Sequence, residues 1–205
     1  MLRKIKRQEC LTKYSIFPLS AYDHKEEEEV IYFPVVFKSC ILTIPAKTFK
    51  GNIKELGIEI VKLTKAFHAD NLIFLGDSET PWLYQTNDYK PVQEAQQYLI
   101  GNNIGKRFNG AIQVDIPELP LFIKHLSWLV RCNAALPYIH FIDQGQNIVG
   151  NICQYGNLHI FTLNQGADNL LNSFINKSKF LIGNNNSCTW RFGKTNAIRG
   201  RRTVI

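Results

Sequence analysis

The chain has 205 residues, with 24 Lys and Arg against 17 Asp and Glu for a formal net charge of +7, and 45% of its residues are hydrophobic. This is ordinary globular composition at a length that buries about 70% of the unfolded surface, enough for a core without covalent staples. No apolar run reaches the roughly 18 residues of a membrane span, and the basic start MLRKIKRQECLTKY has no apolar stretch behind it, so a secretory signal is not expected.

Five cysteines, at 10, 40, 132, 153 and 188, are odd in number and widely spaced, with no CxxC. They read as reduced, mostly buried thiols of a cytoplasmic protein. The positive charge favours an acidic or polyanionic partner.

In chain order, residues 1 to 9 read as a frayed basic terminus and Glu26 to Glu29 as an acidic loop. Val30 to Lys38 alternates, with Ile31, Phe33, Val35 and Phe37 on one face, but Pro34 has no N–H to give, so an edge or bulged strand is expected. A strand at Cys40 to Ile44 precedes the clearest helix, Asn52 to Phe67. Its stripe is Ile53, Leu56, Ile60, Leu63 and Phe67, with Glu59 and Lys62 spaced for an i,i+3 pair. Gly57 inside that helix suggests a close crossing with another backbone. Next come a strand at Asn71 to Leu75, a short strand at Trp82 to Gln85, a helix at Pro91 to Ile100, and a strand at Gly110 to Ile116.

Glu118 to Ala135 reads as a second long helix. Strands follow at Tyr138 to Ile142, Ile148 to Cys153 and Leu158 to Leu163, joined by the turn residues Asp143-Gln144-Gly145-Gln146 and Tyr155-Gly156-Asn157. Asp168 is the expected N-cap of a helix at Asn169 to Lys177. Cys188 to Phe192 suggests a last strand, and 195–205 a basic tail. The whole is an α+β class protein, with mixed or antiparallel sheet and about four helices in a single domain.

Four landmarks repeat in order. Ile44-Pro45 returns as Ile116-Pro117, Ile53-Lys54-Glu55-Leu56 as Ile123-Lys124-His125-Leu126, NLIFLGD ending at Asp77 as YIHFIDQ around Asp143, and Leu99 to Asn103 letter for letter as Leu181 to Asn185. The expectation is two tandem β-α-β-β-α repeats, 41–110 and 112–194, about a pseudo-twofold axis.

For chemistry, the equivalent Asp77 and Asp143 are a candidate carboxylate pair, although Asp at a strand end ordinarily just opens a turn. His140, Cys153 and His159 fall on neighbouring strands and could supply a nucleophile and base, against the common case of an inert buried thiol. They lack recognised zinc-ligand spacing, so neither metal nor cofactor is expected. GNNIGKR at Gly101 to Arg107 fails the phosphate-loop pattern, since Ile100 and Arg107 stand where Gly and Ser or Thr are needed. Lys106, Arg107, Arg191 and Lys194, interleaved with Phe108, Trp190 and Phe192, form the best anion-binding set. With no intact catalytic motif, the sequence leans toward a non-enzymatic bacterial binding protein. An immunity or inhibitor protein against an acidic effector toxin would fit; the alternative is a nucleic-acid-binding protein or nuclease.

Overall fold

The computed structural model describes residues 2–183, 188, 192 and 198–202. Among these residues the apolar periodicities become sixteen elements. These are β1 (Leu2–Ile5), α1 (Arg7–Lys13), β2 (Leu19–Asp23), β3 (Glu28–Tyr32), β4 (Lys38–Thr43), α2 (Phe49–Ala66), β5 (Asn71–Gly76), α3 (Lys90–Gly101) and β6 (Ala111–Asp115), then a 3-10 turn (Ile116–Glu118), α4 (Leu119–Cys132), β7 (Ile139–Asp143), β8 (Ile148–Ile152), β9 (Leu158–Thr162), α5 (Gln165–Ile175) and β10 (Leu181–Ile182). The class is α+β. Eight strands form one antiparallel sheet in the order β1-β6-β5-β7-β8-β9-β4-β10, and β2 and β3 form a separate hairpin.

Strand periodicity assigns the two faces. Leu72, Phe74, Ile112, Val114, Phe141, Ile148, Leu158 and Ile160 point toward α2 to α5 and make the main core. Their alternates Ile73, Leu75, Ala111, Ile142 and Val149 meet Cys10, Tyr14 and Phe17, in and just after α1, on the other face. Only part of that second face is covered by helix, and the open part carries the site described below.

The expected stripe of α2 is buried throughout. The helix begins one turn earlier than the periodicity suggests because the Thr48 side chain accepts from the Gly51 N–H at 3.1 Å. Gly57 does mark a close crossing, since a β-carbon there would lie 3.0 Å from Pro120 Cα at the start of α4. Glu59 and Lys62 pair at 2.8 Å.

Several expectations are corrected. The N-terminus is not frayed: β1 pairs with β6, and Arg7 donates to the carbonyls of Gly76 and Asp77 at 2.9 and 3.1 Å. Those ladder bonds and the buried Leu2 outweigh the basic character of the segment. The run Val30 to Lys38 is split at Pro34, β3 ending at Tyr32 and β4 starting at Lys38. Trp82 to Gln85 is not a strand; Trp82 is buried and its indole donates to the Gly110 carbonyl at 2.9 Å. The cap of α5 is Asn164, which accepts from Ala167 N–H at 2.8 Å, while Asp168 lies inside the first turn.

The described part of the basic tail is also built in. Arg202 N–H donates to Cys132 O at 2.8 Å and Arg201 Nη1 to Arg131 O at 3.0 Å. These satisfy carbonyls left open at the C-terminus of α4, where positive charge is favourable.

Both halves contain a helix crossover between parallel strands, β4-α2-β5 and β6-α4-β7, with both helices on one face of the sheet. They differ in reach: three strands lie between β4 and β5, but only β5 between β6 and β7. Among the described residues the halves therefore interleave in one sheet, their strand orders differ, and no cleft separates one half from the other.

Candidate functional site

Register builds the site. His140 on β7 pairs with Asn151 on β8, which pairs with His159 on β9, so the three side chains form a row across the sheet. The row lies on the face away from α2 to α5, because its neighbours Ile139, Ile152 and Leu158 are in the main core. Cys153 follows Asn151 by two positions and joins the same face. The β8–β9 turn is tight: Cys153 N–H donates to Asn157 O at 3.0 Å and Gly156, at φ +78°, donates to Cys153 O at 2.9 Å. This turn brings Cys153, Asn157 and His159 together.

The third component comes from beyond β10. Cys188 Sγ lies 3.0 Å from Cys153 Sγ, 3.0 Å from Asn157 Nδ2 and 3.4 Å from His159 Nε2. The two sulfurs sit in unlike surroundings. Its contact with Cys153 first, then those with His159 and with the Asn157 amide N–H, hold the Cys188 thiol well below its ordinary value despite its burial. The Cys153 thiol is pushed up, by its bond to Cys188 and by burial. Of the two sulfurs, Cys188 is the one whose surroundings favour the thiolate form.

Arg131 at the end of α4 supports this corner. Its guanidinium lies 4.0 Å from the Phe49 ring centroid, and Nη1 donates to the carbonyl of Gln154, next to Cys153, at 2.9 Å. Burial lowers the Arg131 pKa to about 10.

The cluster opens into a cavity of about 490 Å³ whose walls include Ile31, Phe33, Tyr138, His140 and Arg201. Phe33 meets His140 edge-on at 5.4 Å between centroids and leans on Phe161 at 5.0 Å. His140 is 2% exposed, its Nδ1 has no hydrogen-bond partner, and burial brings its pKa down to about 4, so it is neutral at pH 7. A neighbouring cleft of about 350 Å³ shares Ile31, Leu136, Pro137 and Tyr138 and carries Glu29 and Asp77.

Of the residues singled out from sequence, Cys153 and His159 come together, with His140 facing the same cavity. Asp77 and Asp143 do not pair. Leu72 is opposite Asp143 and Gly76 opposite Ile139, which puts the two aspartates at opposite ends of neighbouring strands, about 17 Å apart. The Asp143 carboxylate is engaged locally, accepting from Asn147 N–H at 2.7 Å, Asn147 Nδ2 at 2.8 Å and Ile148 N–H at 2.9 Å. Asp77 sits at the cavity end of the sheet, and burial raises its pKa.

Lys106 and Arg107 are exposed in the loop between α3 and β6, and Phe108 is packed against the core. Arg191, Lys194 and Trp190 lie outside the described residues. Sequence reasoning missed Cys188 and Arg131 as parts of the site. Asn157 and His159 share a strand-like spacing that could have suggested one face, but nothing local ties Cys188 to a residue 35 positions earlier.

The fold and site define an α+β protein with a thiol–imidazole cluster at the mouth of a sheet-face cavity. Comparison with models of protein families gives no match, and comparison with curated proteins gives none either. Among the described residues, no helix is long and apolar enough to cross a membrane.

Proposed function

We propose that this chain is a binding protein of the immunity or inhibitor type, whose working surface is the aromatic rim of the cavity. The observation that supports this reading is a run of exposed large apolar side chains, Tyr32, Phe33, Val35 and Phe37, with Val35 92% exposed; Phe33 lines the cavity, as does the exposed Tyr138. Aromatic clusters left open to solvent are where partners bind. Pro34 explains how the run comes to be exposed, because it breaks the strand and leaves the apolar residues without a sheet to cover them.

Charge refines the partner. The net +7 would draw an acidic molecule at long range, but the cleft beside the cavity carries Glu29 and Asp77, and Glu26 to Glu28 are exposed in the same hairpin. The Tyr32 hydroxyl itself donates to the Asp23 carboxylate at 3.2 Å. A partner seated here would present an apolar patch with basic residues around it.

A photo-crosslinking residue at position 35, introduced in the native host, tests the reading. It is expected to trap one protein, and the pair Val35→Lys with Phe37→Ser to prevent capture by a probe at position 138. Failure to trap any protein at position 35 would count against the proposal, and adducts only to a second copy would replace it with self-association.

Nucleic acid is the second reading, supported by the exposed pair Lys106 and Arg107 in the loop where Lys4 stands 6.0 Å from the Phe108 ring centroid. It expects retention on DNA or RNA at low salt that falls steeply as salt rises.

A further inference from the structure

We propose that Cys153, His159 and Cys188 bind a zinc ion, with the fourth coordination position facing the cavity. Two sulfurs and one imidazole nitrogen, each from a different segment, lie within 4.8 Å of one another. Two thiolates and an imidazole suit zinc, and three protein ligands with one open position is the arrangement of zinc sites that exchange a ligand.

The geometry needs little adjustment. Tetrahedral zinc with sulfur bonds of about 2.3 Å separates two sulfurs by about 3.8 Å. The pair stands at 3.0 Å and His159 Nε2 at 3.4 Å from Cys188, so small side-chain rotations admit the ion. Cys153 and His159 are anchored by the β8–β9 ladder and its turn, so two of the three donors are held in place before metal arrives.

Two further observations point to a ligand here. Asn157 Nδ2 is 3.0 Å from Cys188 Sγ, the kind of N–H to sulfur bond that orients a metal thiolate. His140 faces the same cavity with its Nδ1 unpartnered although only 2% exposed. A buried nitrogen without a partner is costly unless something in the cavity meets it.

Binding is not a redox step. Zinc displaces whatever thiol protons Cys153 and Cys188 carry, which pass to solvent, and no electron is transferred.

The test uses the full chain, reduced with a phosphine and carrying no histidine tag. Elemental analysis is expected to give close to one zinc per chain. Cobalt loaded in its place should show sulfur-to-cobalt charge-transfer bands and the d–d bands of a tetrahedral site, and azide should shift the latter. Cys188→Ser and His159→Gln should lose the metal, Cys40→Ser should keep it, and Asn157→Ala should weaken binding by about 10- to 100-fold. Circular dichroism of each variant separates loss of the site from loss of the fold. A reduced, folded wild type that takes up neither zinc nor cobalt overturns the proposal. So does a Cys153–Cys188 disulfide in protein alkylated directly from cells. Cobalt bands unmoved by azide overturn the open fourth position.

Discussion

Gly57 of α2 meets Pro120 of α4 backbone to backbone: a methyl group at Gly57 would stand 3.0 Å from Pro120 Cα and 3.2 Å from its carbonyl oxygen. In an isolated helix Gly→Ala gains about 1 kcal/mol. Here the neighbour is main chain in the first turn of a packed helix and cannot swing aside, and overpacking costs roughly 1–3 kcal/mol. Gly57→Ala is therefore expected to destabilise by about 1 kcal/mol and Gly57→Val by more, read as the shift of a urea unfolding curve. A stabilised Gly57→Ala would mean that the two helices can separate.

Phe141 and Gly150 are direct cross-strand partners, and the Phe141 ring lies over the glycine, 2.3 Å from where a β-carbon would be. Gly150→Ala should cost more than about 2 kcal/mol, because the ring would have to move within the main core. Phe141→Leu leaves a cavity by itself, yet should recover part of the loss when combined with Gly150→Ala. A double-mutant cycle measures the coupling, expected at about 1 kcal/mol or more.

The three bonds to the Asp143 carboxylate hold the β7–β8 turn closed. Asp143→Ala strands two backbone N–H groups and should lower stability by about 2–4 kcal/mol, with Asp143→Asn less harmful. Any ligand or metal bound by folded protein should stay bound in Asp143→Asn, because this turn is at the opposite end of β7 from the thiol cluster. Loss of binding without loss of stability would give Asp143 a role beyond the turn.

Cys132 is buried, its Sγ 3.7 Å from the Arg199 carbonyl, and burial pushes its pKa up to about 11. In the intact protein it should react with a thiol reagent only on unfolding. Truncation before Ile198 removes the strand-like contact of Arg202 with Asn133 and uncovers the end of α4. Cys132 labelling, located by peptide mapping, is then expected at least about tenfold faster, as local opening becomes easier.

His125 stacks on Tyr98 at 4.5 Å, and burial, with a smaller contribution from Lys124, lowers its pKa from 6.5 to about 4. Between those two values the unfolded chain binds a proton that the folded protein does not, so stability falls as pH drops through this window. His125→Phe keeps the stack and removes the proton. On going from pH 7 to 4.5 the wild type should lose about 2 kcal/mol more than this variant in urea titrations. Parallel pH curves for the two proteins would contradict the assigned protonation.

What could be read along the chain was whatever depends on near neighbours. The stripe of α2, the alternation of β6, the turn residues after β7 and the warning carried by Pro34 all follow from spacing and backbone chemistry, and each is present. The α+β class followed from the same periodicities. Local propensity could not see that β1 would find β6, that Arg201 and Arg202 would close α4, or that Asn164 would take the cap from Asp168. In each case a specific hydrogen bond decided between alternatives of similar local cost.

The thiol cluster shows where local reading ends. Cys153 and His159 share a face because the strand repeat is two residues, and the sequence contains that. Cys188, from beyond β10, is brought to them only in the folded chain, and the 72-residue echo of Ile44-Pro45 in Ile116-Pro117 gave no hint that the halves would interleave in one sheet. Strand order is set by which pairings bury the most apolar surface at once, a property of the whole chain rather than of any window within it.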